Sequence, residues 1–177
     1  MADAAARARS PLHGRARELA AVGAAEVAFL AQVDLRADPA LAPRLPLAPP
    51  PEPNTWTAGG GREALWLGPD QWLVVGPPGS APAITAELGR ALQGEHHSVV
   101  DTSANRTVVE LTGDGRLDLL AQGCALDLHP RAWRPGHCAQ TLLARVPVLL
   151  QEREGATRVF VRTSFAAHLA GWFTAVA

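Results

Sequence analysis

The sequence predicts an α+β fold, mainly antiparallel sheet with helices packed on it. Three observations carry this. Short runs of alternating or β-branched residues outnumber helical stripes. Turn signals separate neighbouring runs, as hairpins require. One apolar stripe at helical spacing closes the chain.

Taken in order, residues 1–23 are rich in Ala and Arg and are expected to form a flexible N-terminal arm, with Ser10-Pro11-Leu12 as an anchor. The domain proper is expected over residues 24–177. From Val27 to Leu35, apolar side chains fall on alternate positions (Val27, Phe29, Ala31, Val33, Leu35) with Gln32, Asp34 and Arg36 opposite. That is a half-buried strand. Residues 38–62 hold seven prolines and then Gly59-Gly60-Gly61. Proline removes ladder donors, so this is a long irregular connection. Such loops are commonly functional, and a segment lying on a partner surface fits.

Two strand-like runs follow within Ala64–Val75, broken by the turn signal Gly68-Pro69-Asp70. Ser80 and Pro82 open a helix through about Gln93. Ser98–Leu111 reads as extended, since Thr107, Val108 and Val109 favour strand. Asp114 is placed to cap a helix over 115–123 whose stripe is Leu117, Leu120, Ala121 and Cys124. Cys138–Leu143, Val146–Gln151 and Arg158–Arg162 are strands, the last two joined at Gly155. Thr163 or Ser164 caps a final helix with the face Phe165, Leu169, Trp172, Phe173 and Val176.

Composition narrows the chemistry. The chain has 177 residues, long enough for a real core, and 47% are hydrophobic. Net charge is −1, so no overall field draws it to nucleic acid or anionic membrane. All 16 basic residues are Arg, which excludes Schiff-base and P-loop lysines. There is no Tyr to serve as an acid or base. The N-terminus lacks a signal peptide's apolar region, and no stretch approaches the ~18 apolar residues of a span. A cytoplasmic protein is expected.

Few residues form a chemical constellation. Cys124 and Cys138 read as reduced core thiols, or alternatively as parts of a Cys/His site with His129 and His137. No ligand spacing supports the second reading. His96 and His97 are adjacent, so a strand would point them apart. Ser103 and Ser164 lack a nucleophile-elbow context. The Gly-rich tripeptide at 59–61 is not followed by a helix-opening pattern, which weighs against a phosphate cradle. Trp56, Trp66, Trp72, Trp133 and Trp172 are either core packing or interface anchors. Arg106 either binds an anion or pairs with an acid such as Asp101.

Several segments together resemble one family. LWLGPDQWLVV (65–75) is similar to a strand–turn–strand of aminomethyltransferase-like proteins and of gamma subunits of heterotetrameric sarcosine oxidases. The segment 99–133 follows the same plan: an Asp-x-Ser strand end, a second strand, a Gly-Asp turn, and a helix ending in Cys124. HCAQTLLARVPVLL (137–150) resembles the next strand pair, and VRTSFAAHLAGWF (161–173) the closing Arg-x-Ser-Phe helix. FLAQVDLRADP (29–39) looks like the gamma-subunit opening strand. The resemblance covers roughly residues 27–175, and it implies the aminomethyltransferase (folate-binding domain) fold.

The wider family, which includes the glycine-cleavage T-protein, holds tetrahydrofolate in a channel and uses a carboxylate in a Gly-Gly-x-x-Asp-Asp segment. Here the corresponding stretch is ARVPVLLQ, with Val146, Pro147 and Val148 where glycines and carboxylates are needed. The resemblance therefore implies an accessory gamma subunit with no catalytic, cofactor-binding or metal-ligating residue of its own. It implies a complex with alpha, beta and delta subunits that oxidises sarcosine. FAD, FMN, NAD and tetrahydrofolate are expected on other subunits, and zinc on delta. The chain would dock on the folate-binding half of alpha. Two alternatives remain: a standalone folate-binding, aminomethyltransferase-like protein, and a thiol or metal enzyme using Cys124, Cys138 and the histidines.

Overall fold

The structure, a computed structural model, describes residues 8–177. Among them, ten strands form two antiparallel sheets of five. Across the first sheet run β1 (Ala24–Val27), β7 (Arg106–Thr112), β10 (Ala156–Arg162), β9 (Val146–Arg153) and β8 (Cys138–Leu143). Across the second run β3 (Trp56–Gly59), β4 (Arg62–Gly68), β5 (Gln71–Gly76), β2 (Ala31–Ala37) and β6 (His97–Asp101). Helices α1 (Ala16–Ala20), α3 (Arg116–Ala121) and α4 (Thr163–Val176) belong with the first sheet, and α2 (Ala81–Ala91) with the second.

Alternation along the strands builds three apolar layers. Val109, Leu111, Val159 and Val161 meet Leu19, Leu120, Leu169 and Phe173 under the helices of the first sheet. Val33, Leu35 and Val74 meet Ile84 and Leu88 of α2. The opposite faces supply Leu65, Leu73, Val75, Val108, Leu149 and Phe160, which lie between the sheets. Each fully buried Leu or Phe contributes about 1.5–3 kcal/mol over leaving it exposed. The α+β class with antiparallel sheet is as expected.

The details differ in instructive ways. The Val27–Leu35 run is two strands in different sheets, and the chain crosses at Ala28–Leu30. Phe29 takes φ +62° there, a left-handed conformation uncommon for a bulky residue. The expected flexible arm, so far as it is described, is packed: Leu12 and Leu19 are 2% and 0% exposed. Residues 1–7 of that arm lie outside the described residues. The loop 38–62 is partly ordered, with a 3-10 helix at Pro39–Arg44 capped by Asp38, whose Oδ1 accepts from Ala40 N. Pro49 and Pro50 are buried, and Trp72 Nε1 donates to Pro50 O at 3.2 Å.

Ser80 stands at the N-cap of α2 with Pro82 in its first turn, as expected, but no Ser, Thr or Asp side chain bonds the start of α2, α3 or α4. Ser80 Oγ donates back to Pro77 O instead, Gly115 occupies the cap of α3, and Arg162 that of α4. The buried face of α4 is Ala166, Leu169, Ala170 and Phe173, while Phe165 is exposed. The stripe of α3 likewise turns Leu119 and Leu120 inward and leaves Ala121 exposed.

Candidate functional site

The β8–β9 hairpin occupies the place where the resemblance would put folate chemistry. Ala144 and Arg145 form its two-residue turn, both at positive φ (50° and 67°). Such a turn matches the twist of the flanking strands. Val146 and Val148 then point into the helix-covered core at 4% and 5% exposed, and Pro147 faces outward. Leu142 pairs with Pro147 and Thr141 with Val148. These residues pack a sheet. They offer no carboxylate and no flexible glycine backbone, so they do not fit the role of holding folate.

The thiols are set apart by their surroundings. Cys138 is fully buried between the sheets, and its Sγ donates to Thr55 O at 3.1 Å. Burial pushes its pKa up to about 12. At neutral pH it is a neutral thiol, which is not a nucleophile. Cys124 is half-buried near Thr141 Oγ1 at 3.8 Å. The two cysteines are unpaired with each other.

The remaining candidates disperse. His129 Nδ1 accepts from Arg131 N at 3.2 Å, His97 Nδ1 lies 2.8 Å from Glu95 O, and His137 packs edge-on to Trp133. No group of three His, Cys, Asp or Glu suited to a metal ion assembles among the described residues. Ser103 is a turn residue: its Oγ donates to Asp101 Oδ1 at 2.5 Å and accepts from Gln32 N at 3.0 Å. The Ser103 hydroxyl and then its backbone N–H, both donating to Asp101 Oδ1, hold that carboxyl below its ordinary range. They also occupy Asp101, so the expected Arg106–Asp101 pair does not form. Arg106 instead stands beside Arg162, and burial first, then that like charge, lowers its pKa.

All five tryptophans are buried or half-buried rather than presented outward. Trp56 Nε1 donates to Glu152 O at 3.0 Å, and the Arg153 guanidinium lies 5.3 Å from the Trp56 ring. Trp172 closes over Gly123, where an added Cβ would sit 2.6 Å from the indole.

One heavily bonded buried side chain carries no signal in the sequence. Glu152 is 2% exposed, yet its carboxylate accepts from Arg116 Nη2 (2.7 Å), Trp133 Nε1 (2.9 Å) and Thr157 Oγ1 (2.5 Å). A buried charge so fully partnered organises structure. It ties α3, the 122–137 loop and β10 to β9. A second carboxylate, Glu63, gathers Arg153, Arg158 and Gln151 between the sheets. Each carboxylate oxygen of Glu152 and Glu63 faces a cation or donor, while Gln151 Oε1 is buried without a partner.

Residues 22–177 match the family described as "Sarcosine oxidase, gamma subunit family". The chain belongs to that family. It is 38% identical to a sarcosine oxidase subunit gamma of Arthrobacter sp., over 93% of this chain and 87% of that one. A sarcosine oxidase subunit gamma of Corynebacterium sp. (strain P-1) is 39% identical over 83% of this chain and 75% of its own. Among solved structures, a chain of the heterotetrameric sarcosine oxidase from Corynebacterium sp. U-96, in complex with pyrrole 2-carboxylate, superposes with TM-score 0.87. It shares 34% identity over 96% of this chain and 94% of that one. The glycine cleavage system aminomethyltransferase T from Bartonella henselae matches at TM-score 0.67 and 16% identity, over 92% of this chain and 49% of that one. That likeness shows the fold alone. In this gamma-family chain, then, an aminomethyltransferase-like fold carries packed apolar residues at Val146–Val148.

Proposed function

We propose that this chain is a non-catalytic accessory subunit of a sarcosine oxidase complex. The supporting observation is the match, at 34% identity and TM-score 0.87 over nearly the whole chain, to a chain of a heterotetrameric sarcosine oxidase. The reaction of the complex is the conversion of sarcosine, O2 and tetrahydrofolate to glycine, H2O2 and methylene-tetrahydrofolate. FAD, FMN, NAD and tetrahydrofolate reside on other subunits, and zinc on delta. This chain docks on the folate-binding half of alpha and stabilises it. The complex is cytoplasmic, and among the described residues no helix is long and apolar enough to cross a membrane.

The local chemistry agrees with this role. Cys138 is held neutral, Ser103 closes a turn, and Val146–Val148 pack a sheet. Titrating the purified chain with tetrahydrofolate, followed by calorimetry, tests the non-catalytic part. No heat of binding is expected. Saturable binding by the chain alone would favour a standalone folate-binding protein instead.

A further inference from the structure

Arg106 and Arg162 stand directly opposite each other where β7 pairs with β10. Like charges at such positions repel. Both lie on the sheet face that meets the second sheet, because Val108 and Phe160, two residues along, belong to the inter-sheet layer. Further along that face, Arg158 is held by Glu110 at 2.8 Å and Glu63 at 3.3 Å. Among the described residues, neither Arg106 nor Arg162 has such a partner. Asp34 is engaged by Gln71 at 2.7 Å, and Asp101 by Ser103. The face thus neutralises one of its arginines and leaves two facing each other.

The two guanidinium groups border a recess of about 120 Å³ with Gln140, Pro147 and Leu149. Sites for drug-sized ligands run about 300–1,000 Å³. This one is small for a cofactor and suits one side-chain head group. Gln140 is fixed by its bond to Leu67 O at 2.9 Å. Beside the recess the sheet face is bare: Leu142 is 55% exposed, and its cross-strand partner Pro147 is exposed too. Asp34 attracts Arg106 without forming an ion pair with it, and two guanidinium groups without an ion-pair partner next to uncovered apolar residues are complementary to one kind of surface. A carboxylate accepts from two guanidinium forks at once, and such charge-assisted bonds are strong once docking covers the recess from water.

We propose that this corner of the first sheet docks an acidic segment of a partner subunit, one carboxylate of which inserts between Arg106 and Arg162 while apolar neighbours cover Leu142 and Pro147. The proposal rests on the accessory-subunit reading. It also predicts opposite effects on folding and on assembly. In the free chain Arg162 only repels Arg106, whereas in the complex it binds.

The test uses full-length Arg162→Gln, Arg162→Glu and Arg162→Lys chains, each alone and with the other subunits of the complex. The free Arg162→Gln chain is expected to melt at or above the wild-type temperature. Its affinity for the remaining subunits is expected to fall roughly tenfold or more, with a larger loss for Arg162→Glu. Arg162→Lys, which keeps the charge but not the fork, is expected to fall between wild type and Arg162→Gln. Assembly of Arg162→Gln at wild-type affinity would overturn the docking surface and leave the accessory role standing. A lower melting temperature for free Arg162→Gln would overturn it too, by showing that Arg162 pairs internally. Failure of the wild-type chain to assemble would sink the accessory role, and the docking surface with it.

Discussion

Trp133 Nε1 donates to the Glu152 carboxylate at 2.9 Å beneath the helices of the first sheet. The same carboxylate takes Arg116 and Thr157, so one buried charge holds three otherwise separate segments. Removing one partner of such a set leaves an uncompensated buried charge, here on Arg116. Glu152→Ala is therefore expected to cost about 3–5 kcal/mol. Glu152→Gln, which keeps an acceptor, is expected to cost less. Urea unfolding of the two variants measures both values, and equal small losses would contradict the assignment.

The two thiols should react very differently. Under native conditions iodoacetamide is expected to modify Cys124, which is half-buried, and to spare Cys138 until the chain unfolds. Cys138 also sets an alkaline limit. Its folded pKa of about 12 lies above the ordinary 9.0. Its contribution is therefore complete below about pH 9 and is lost as pH rises towards 12. Cys138→Ala is expected to lose part of that alkaline slope, as read from melting temperature between pH 8 and 11.

The face of α4 can be tested by truncating two phenylalanines. Phe173 is 0% exposed and Phe165 is 40% exposed. Phe173→Ala is expected to destabilise by about 3–5 kcal/mol. Phe165→Ala should stay within about 0.5 kcal/mol. Thermal or urea unfolding separates the two, and a reversed order would mean the helix is rotated.

Asp101 offers a test in acid. Ser103 donates to it from both Oγ and N, which lowers its pKa. A depressed carboxyl stabilises above its unfolded pKa, and that contribution fades as pH falls through the folded value. Asp101→Asn should flatten the acid limb of the stability curve below about pH 4. An unchanged limb would show that the turn does not depend on the charge.

Much of this fold is legible in the residues. The hairpins at 62–76 and 146–162 follow from β-rich runs split by turn residues, and α4 from its closing stripe. What escapes is decided by tertiary packing. The alternation through Phe29 continues while the chain changes sheets, because a period of two says nothing about which sheet a strand joins. On α4, small alanines pack closest and turn Phe165 outward, which a stripe drawn through the largest side chains misses. Glu152 lies one residue past the strand expected over Val146–Gln151, and nothing in the sequence marks it as buried. Only the folded chain brings Arg116 and Trp133, 36 and 19 residues away, onto it. The absence of folate-type carboxylates at Val146–Val148 was readable at once, because it depends on residue identity alone.

The most direct test of the accessory role is co-expression with the alpha, beta and delta subunits, followed by native mass spectrometry of the flavin-containing fraction. One copy of this chain per complex is expected, with less intact alpha recovered when the chain is omitted. A complete, folate-binding complex that forms and turns over sarcosine equally well without this chain would contradict the account.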